Sequence, residues 1–195
     1  MMIDGLFPTF VYGVDVPNHK ELNQRLEKDI IQWSKESKGL QKTNRKGWHS
    51  DSNMQEKPEY QDLVKILYSL QDEIYQHQSL DRKPRMVNMW ANINYEGGHN
   101  IVHVHPNCLF SGVYYVKTKP NCGSLILGDP RLGAQIQRGV HVDAPFHMQQ
   151  ELKAIPQEGR VLMFPSWMFH MVEPNESGED RISISFNFIQ EGFQR

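Results

Sequence analysis

The feature that most constrains the fold of this chain is a change in hydrophobic periodicity near Pro84. Before it, apolar residues recur every three or four positions, which is the spacing of an amphipathic helix. After it, apolar and polar residues alternate, which is typical of strands with two unlike faces. A chain of 195 residues is long enough to bury a core. We therefore predict one domain over residues 1–195, with a helical support at 1–84 and a β core at 85–195.

Two helical stripes precede the change in period, one between Pro17 and about Lys38 and one after Pro58. Apolar stripes of this kind normally face a core, so we expect both helices on the outside of a sheet. The polar stretch Gly39 to Lys57 is predicted to be a loop, and Leu6 to Val14 a short edge strand. The first stripe consists of Leu22, Leu26, Ile30 and Trp33, and the second of Tyr60, Leu63, Leu67, Leu70 and Ile74.

Two segments after Pro84 alternate apolar residues with an unusual polar face of amides, hydroxyls and an indole. In an ordinary sandwich a polar face meets solvent, and this remains the alternative for either segment alone. Together the two segments favour a barrel with a polar interior pocket. The polar faces are Asn88, Trp90, Asn92 and Asn94 in the first segment, and Arg181, Ser183, Ser185 and Asn187 in the last. Further strands are predicted at Gly112–Val116, Ser124–Leu127, Val140–Asp143, Val161–Phe164 and Phe169–Val172.

Composition and charge exclude several classes of protein. The net charge is −2 and no basic tract stands out, so we expect neither a nucleic-acid partner nor an anionic membrane. The first ten residues show no basic leader and no long apolar run, which predicts no signal peptide. Cys108 and Cys122 are too few for a disulfide framework, so a reducing cytoplasm is the expected location.

His103 and His105 are the strongest chemical signal in the sequence. Residues two apart in a strand project from the same face, so these two imidazoles are placed to share a metal ion. Pairs of histidines also occur for structural reasons, and the pair alone is only moderately specific. His170 lies downstream in a second strand-like run, and Arg181 with Ser183 follows in a third.

This order of residues resembles the Fe(II)- and 2-oxoglutarate-dependent oxygenases, whose sites lie inside a double-stranded β-helix. The nearest likeness is a branch with the motifs H-x-H-P, S-G-V-Y-Y-V and F-P-S-W-x-x-H. These motifs stand here at 103–106, 111–116 and 164–170. The likeness is strong in the C-terminal half and extends to the N-terminal half only through the order of elements and the stretch Gly47-Trp48-His49-Ser50. It implies a mainly β, jelly-roll, cupin-like fold with two N-terminal α-helices outside one sheet.

The resemblance also implies roles for particular residues. His103, His105 and His170 would bind Fe(II) as catalytic ligands and leave positions for 2-oxoglutarate and O₂. His105 stands where the common family pattern has a carboxylate, which changes the charge at the metal. Arg181 and Ser183 would bind the far carboxylate of 2-oxoglutarate through a guanidinium fork and a hydroxyl. Tyr115 would add its phenol, with Tyr114 facing the other way.

Other residues could take part in the same site. His141-Val142-Asp143 could supply ligands together with His170, but too few residues separate the two for the strands that normally intervene. Asp129 could approach the metal from a loop, although an Asp in Asp-Pro-Arg more often forms a turn. We expect the Phe164-Pro165-Ser166-Trp167 turn to wall the pocket. Further polar contacts are expected from His99, Asn92 and Asn100, whereas His19, His49 and His77 are interpreted as ordinary polar residues.

The sequence therefore predicts an oxygenase that uses Fe(II) and 2-oxoglutarate, hydroxylates an unknown small-molecule or peptide substrate, and releases succinate and CO₂. A three-His, cupin-like metalloenzyme without 2-oxoglutarate is the first alternative, and a non-enzymatic metal- or ligand-binding jelly roll is the second. Binding of 2-oxoglutarate separates the prediction from both. Homodimerisation is left open by the sequence.

Overall fold

The structure, a computed structural model, describes residues 1–2, 4, 6–131 and 143–192. Within these ranges the chain forms nine strands and two α-helices. The strands are β1 Tyr12–Asp15, β2 Asn44–His49, β3 Pro84–His103, β4 Phe110–Lys117, β5 Leu125–Gly128, β6 Glu151–Ala154, β7 Arg160–Pro165, β8 His170–Val172 and β9 Arg181–Gln190. The helices are α1 His19–Glu36 and α2 Gln61–His77. No helix in the described ranges is both long and apolar enough to cross a membrane.

The nine strands form one curled antiparallel sheet. Its order is β1-β7-β4-β9-β3-β8-β5-β6, and β2 pairs with β3 in addition. The long strand β3 joins the two halves of the sheet, because its first part pairs with β9 and its last part pairs with β8. This arrangement brings His103, the last residue of β3, opposite His170, the first residue of β8.

The main core lies between the two helices and the outer face of the sheet. The predicted stripes are buried there, with Leu26 and Ile30 of α1 and Leu67 of α2 fully inaccessible to solvent. Fully burying one such side chain contributes about 1.5–3 kcal/mol, so this layer fixes the helices on the sheet. The outer faces of β3 and β9 supply Met86, Met89, Ala91, Ile93, Ile182, Ile184, Phe186 and Phe188.

The inner face of the curled sheet divides into an apolar part and a polar part. Strands β4, β5 and β7 contribute a second, smaller apolar cluster. Strands β3 and β9 contribute the amides and hydroxyls that alternate with the core residues. The predicted polar interior is therefore correct, because both polar faces line a cavity rather than the outer surface. The apolar cluster contains Tyr115, Leu125, Leu127, Leu162, Phe164 and Met168.

One prediction about local structure before β3 was wrong. Within the predicted loop Gly39 to Lys57, β2 pairs with β3, although its residues are mostly polar. Strand β3 continues without interruption through Gly97 and Gly98 to His103. A Cβ at Gly98 would lie 2.5 Å from the carbonyl oxygen of Lys46, so the glycine permits close approach of β2.

The remaining differences are at the edges of the sheet and in one loop. The edge strand β1 begins at Tyr12, so the first residues of the predicted strand, from Leu6 onwards, are not part of the sheet. Strand β6 was not predicted, and only four of its residues pair with β5. The predicted strand Val140–Asp143 lies outside the described residues except for Asp143, which is not in a strand.

Candidate metal centre and cavity

Three histidines converge at one end of the inner face of the sheet. One ring nitrogen from each of His103, His105 and His170 lies within 4.8 Å of the other two. Nε2 of His105 lies 3.2 Å from Nε2 of His170. Two nitrogens bound at right angles to one divalent ion, each at about 2.1 Å, would lie about 3.0 Å apart. The spacing therefore fits a shared metal ion, and imidazoles suit Fe(II) as well as Zn(II) and Ni(II).

The histidine pair reaches this point in a way that the sequence did not predict. Only His103 lies in β3, whereas His105 lies beyond the end of the strand. The two rings therefore do not project from one face of a regular strand. The backbone N–H of His105 donates to the carbonyl oxygen of Ser166 at 3.0 Å, which draws the segment after β3 towards the turn that precedes His170.

Backbone carbonyl groups orient two of the three imidazoles. Nδ1 of His103 lies 2.7 Å from the carbonyl oxygen of Ile101, and Nδ1 of His170 lies 2.9 Å from that of Met168. If each Nδ1 carries the proton, Nε2 is left free to bind a metal. Nδ1 of His105 has no hydrogen-bond partner in the described part of the chain, and its ring instead contacts Trp90 at a centroid distance of 5.7 Å.

The three imidazoles are neutral at physiological pH. Burial, with a smaller contribution from His103, lowers the pKa of His105 to about 4. Burial and the neighbouring imidazoles lower the pKa of His170 to about 3. Burial also lowers the pKa of His103. Metal binding requires the neutral ring, so the site is already in the form that a metal needs.

Arg181 is buried at another part of the same cavity, with 2% of its surface exposed. Its Nη1 donates to the carbonyl oxygens of Gly123 at 2.9 Å and Cys122 at 3.3 Å, and its Nη2 donates to Oδ1 of Asn94 at 2.8 Å. A guanidinium has five N–H groups, and Nε is left without a partner. Arg181 has no carboxylate partner among the described residues, and burial lowers its pKa. A buried cation of this kind requires an anion for compensation.

Ser183 and Tyr115 line the cavity beside Arg181. Ser183 is two residues along β9, and it lies opposite Tyr115 of β4 and Asn92 of β3 in the sheet register. Burial raises the pKa of Tyr115 to about 12, so its phenol stays protonated and can donate a hydrogen bond. Tyr114 faces the helices instead, as expected, and its hydroxyl donates to Oδ1 of Asn23 on α1.

The cavity that joins these residues has a volume of about 360 Å³. It contains the three histidines, Arg181, Ser183 and Tyr115 in one continuous space. All six predicted site residues are thus brought together by the fold. The other lining residues are Lys42, Thr43, His49, Ser52, Asn88, Trp90, Asn92, Asn100, Val104, Gly112, Val113, Leu125, Phe164, Val172, Ser185 and Asn187.

Some of the other expected contacts are present and others are not. Asn92 and Asn100 line the cavity, whereas His99 does not. Phe164 forms part of the wall and contacts His170 edge-on at 4.8 Å between centroids. Trp167 is 54% exposed and does not line the cavity, so its predicted role as a wall was wrong. Phe164 belongs to β7, and it is the residue of the Phe164–Trp167 stretch that forms the wall.

Two of the alternative metal ligands, Asp129 and Asp143, lie in the described part of the chain, and neither joins the histidine group. Asp129 forms an ion pair with Arg131 at 3.0 Å and is absent from the group. Asp143 is exposed, and His141 lies outside the described residues.

His49 was interpreted as an ordinary polar residue, but it lines the cavity. Its ring stacks on Trp90, with 5.5 Å between centroids and 9° between planes. The interpretation failed because the segment around His49 was predicted to be a loop. Recognition of β2 as a strand beside β3 would have placed His49 next to the polar face of β3.

Comparisons with known proteins agree with this geometry. The sequence profile of a family described as "Putative 2OG-Fe(II) oxygenase" matches residues 88–187. No curated protein sequence matches the chain. Among solved structures, a Pseudomonas putida prolyl-4-hydroxylase is 16% identical, with 94% of each chain covered and a TM-score of 0.67.

Two further structures extend the comparison. The viral collagen prolyl hydroxylase of Paramecium Bursaria Chlorella virus-1, in complex with 2OG, is 14% identical over 91% of this chain and 94% of that one, with a TM-score of 0.58. HygX from Streptomyces hygroscopicus, with nickel, 2-oxoglutarate and hygromycin B bound, is 11% identical over 95% of this chain and 85% of that one, with a TM-score of 0.65. These likenesses confirm the predicted double-stranded β-helix fold. The family profile covers more than half of the 195 residues, and the chain belongs to the 2OG-Fe(II) oxygenase family.

Proposed function

We propose that the chain uses Fe(II) and 2-oxoglutarate to hydroxylate a substrate, with release of succinate and CO₂. His103, His105 and His170 are proposed as the iron ligands. Arg181, Ser183 and Tyr115 are proposed to bind the distal carboxylate of 2-oxoglutarate. The observation that carries the proposal is that three convergent imidazole nitrogens and a buried, unpaired guanidinium share one cavity.

Arg181 supports the use of a dicarboxylic cosubstrate. Its three hydrogen bonds to Cys122, Gly123 and Asn94 hold the guanidinium in place, and they leave Nε and one N–H of Nη2 available. Charge-assisted hydrogen bonds from a fixed guanidinium are stronger than neutral ones and impose a defined orientation. A three-His metalloenzyme without 2-oxoglutarate would not need the donors that Arg181 leaves available in the cavity.

The protein's own contributions to the reaction follow from these positions. The imidazoles hold the metal at one part of the cavity, and the anchor at Arg181 fixes the direction in which the cosubstrate lies. Phe164 packs against the His170 ring, and Phe164 and Leu125 both give the cavity an apolar wall. Bound iron supplies the oxidation of the substrate by O₂, coupled to decarboxylation of 2-oxoglutarate.

Anaerobic calorimetric titration of the Fe(II)-loaded protein with 2-oxoglutarate tests this proposal. We expect saturable binding with one molecule of 2-oxoglutarate per protein, and slow formation of succinate when O₂ is admitted. Glutarate, which lacks the keto group, should bind more weakly because it cannot chelate the metal. Iron binding without any binding of 2-oxoglutarate would contradict the proposal and favour the three-His alternative.

We also propose a reducing, cytoplasmic location. Cys108 and Cys122 are both free thiols. Cys122 is buried, and its carbonyl group accepts from Arg181, so modification of its thiol would disturb the anchor. Fractionation of cells that express the chain from its native gene is the direct test, and recovery of the protein outside the cytoplasm would contradict the proposal.

A further inference from the structure

The cavity has an unusual balance of charge. Among the described residues that line it, Lys42 and Arg181 are the only ones with a full charge, and none is an Asp or a Glu. The positions outside the described ranges contain no Asp or Glu either. The chain as a whole has 23 acidic residues and a net charge of −2. The lack of acidic groups is therefore a property of the cavity and not of the composition.

The metal ligands do not reduce this positive charge. All three are neutral imidazoles, with His105 at the position where the common family pattern has a carboxylate. A divalent ion, Arg181 and Lys42 together carry four positive charges, and the 2-oxoglutarate dianion neutralises two of them. With a carboxylate ligand and no lysine, the same site would be neutral once 2-oxoglutarate was bound. Two positive charges are thus uncompensated in this cavity.

Lys42 is held at the mouth of the cavity, close to the end of β3 that carries His103. Its backbone N–H donates to Oδ1 of Asn44 at 2.7 Å. The next residue, Thr43, accepts from the backbone N–H of Ile101 at 3.0 Å and from the side chain of Asn100 at 3.1 Å. These contacts fix the segment against β3, so that the Lys42 side chain emerges beside the cavity.

The ammonium of Lys42 is available to a ligand. Lys42 is exposed and forms no ion pair with any described residue. Burial, followed by the charge of Lys42, lowers the pKa of His49 on the cavity wall, which agrees with an ammonium close to the opening. The carboxylate of Asp51 also acts on His49, but Asp51 does not line the cavity.

We propose that the cavity binds a small organic anion together with 2-oxoglutarate, and that this anion is the substrate class. The inference rests on the proposed function. The anionic group, a carboxylate or a phosphate, faces Lys42 at the mouth, and the part to be oxidised lies towards the histidines. A cleft lined by one sign of charge concentrates ligands of the opposite sign. The cavity volume of about 360 Å³ is near the lower end of the roughly 300–1,000 Å³ typical of small-molecule pockets. Because 2-oxoglutarate occupies part of it, the second anion must be compact.

Three probes with the same ring test the inference: benzoate, phenyl phosphate and benzamide. The protein is loaded with Zn(II), which prevents turnover, and saturated with ¹³C-labelled 2-oxoglutarate. Each probe is then titrated calorimetrically. We expect at least one of the two anions to bind more than tenfold more tightly than neutral benzamide, and comparison of the two anions distinguishes a carboxylate from a phosphate. The NMR signal of bound 2-oxoglutarate should persist throughout.

Two lysine variants complete the test. Lys42→Gln should reduce the preference for the anion at least threefold, because the ammonium is lost while the side chain keeps a similar length. Lys38→Gln removes the same charge from an exposed position outside the cavity and should leave the preference unchanged.

Several outcomes would overturn the inference. These are equal binding of benzamide and both anions, an unchanged preference in Lys42→Gln, and displacement of 2-oxoglutarate by the anion. In each of these cases 2-oxoglutarate still binds when added alone, and the proposed function stands. If 2-oxoglutarate does not bind at all, the proposed function fails and the inference fails with it.

Discussion

Tyr114 and Tyr115 are neighbours in β4 and serve opposite faces of the sheet. The Tyr114 ring is fully buried in the main core, and its hydroxyl donates to Oδ1 of Asn23. The amide of Asn23 in turn donates to the carbonyl oxygen of Val116 at 2.7 Å, which ties α1 to β4. Tyr115 belongs to the inner apolar cluster and lines the cavity beside Ser183. One tyrosine therefore holds a helix on the sheet, while the other faces the proposed cosubstrate.

This division predicts different effects of removing each hydroxyl. Tyr114→Phe leaves a buried acceptor on Asn23 without its donor and should lower the free energy of unfolding by about 1–3 kcal/mol. Tyr115→Phe should weaken 2-oxoglutarate binding by about ten- to hundredfold, since a hydrogen bond to a charged group is worth roughly 1.5–3 kcal/mol.

Denaturant unfolding and calorimetric titration of both variants give the comparison. Each variant serves as the control for the other, because the chemical change is identical. Weaker 2-oxoglutarate binding in Tyr114→Phe than in Tyr115→Phe would show that the assignment of the two faces to their roles is incorrect.

Removal of His170 should abolish stoichiometric iron binding. Its Nδ1 is held by the carbonyl oxygen of Met168, so its loss removes an imidazole that is already oriented towards the other two. His170→Ala is therefore expected to contain less than a tenth of the wild-type iron after anaerobic reconstitution and desalting.

The matched control for this prediction is His99→Ala. His99 lies on β3 near the histidine group but does not line the cavity, and its Nδ1 lies 3.1 Å from the carbonyl oxygen of Gly97. Iron content in His99→Ala should equal that of the wild type. An unchanged iron content in His170→Ala, or metal found on His141 and Asp143, would refute the three-His assignment.

Substitution of His105 should have a weaker effect than substitution of His170. The imidazoles of His103 and His170 are already oriented by backbone carbonyl groups, whereas that of His105 is not. His105→Ala should therefore retain measurable Fe(II) binding with a lower affinity. His105→Asp places a carboxylate where the common family pattern has one, and it should bind Fe(II) more tightly than His105→Ala. Equal loss of iron in His105→Ala and His170→Ala would show that the three ligands contribute alike.

The sequence predicted those parts of the fold that depend on local periodicity. The stripes of α1 and α2 and the alternation in β3 and β9 are each visible within a few residues, and they correctly gave the two helices and the polar interior. In β3 the alternation shifts at a bulge between Met86 and Asn88, where Met86 is buried in the core and Val87 is only partly buried. A bulge adds one residue to a strand and has no reliable sequence pattern.

The parts that could not be predicted depend on contacts between distant segments. Asn44, Arg45 and Lys46 have no alternation of their own, and β2 exists because its backbone pairs with β3. His105 is drawn towards His170 by the hydrogen bond from its backbone N–H to the carbonyl oxygen of Ser166. The hydrogen bond from Arg181 to Asn94 exists because the register of β9 on β3 places these two residues opposite each other. Propensity and periodicity carry no information about such pairings.

Arg181 provides the sharpest test of the cosubstrate site, because it is not a metal ligand. Loss of one charged partner in a pocket typically costs about 2–5 kcal/mol when the other charge remains buried. Arg181→Ala should therefore weaken 2-oxoglutarate binding by more than tenfold, while the iron content stays at the wild-type level. Arg181→Lys should recover only part of the affinity, because an ammonium cannot present two fixed parallel donors.

The same arginine also supports the chain around it, and the experiment must separate the two effects. Arg181→Ala removes the donors to Cys122, Gly123 and Asn94, so some loss of stability is expected. Arg160→Ala is the matched control, because Arg160 pairs with Asp15 at 2.6 Å on the surface and does not line the cavity. Thermal unfolding of each variant, followed by anaerobic titration well below the unfolding temperature, isolates binding from folding. If folded, iron-replete Arg181→Ala binds 2-oxoglutarate as tightly as the wild type and Arg160→Ala do, the distal carboxylate is bound elsewhere and the proposed orientation of the cosubstrate is wrong.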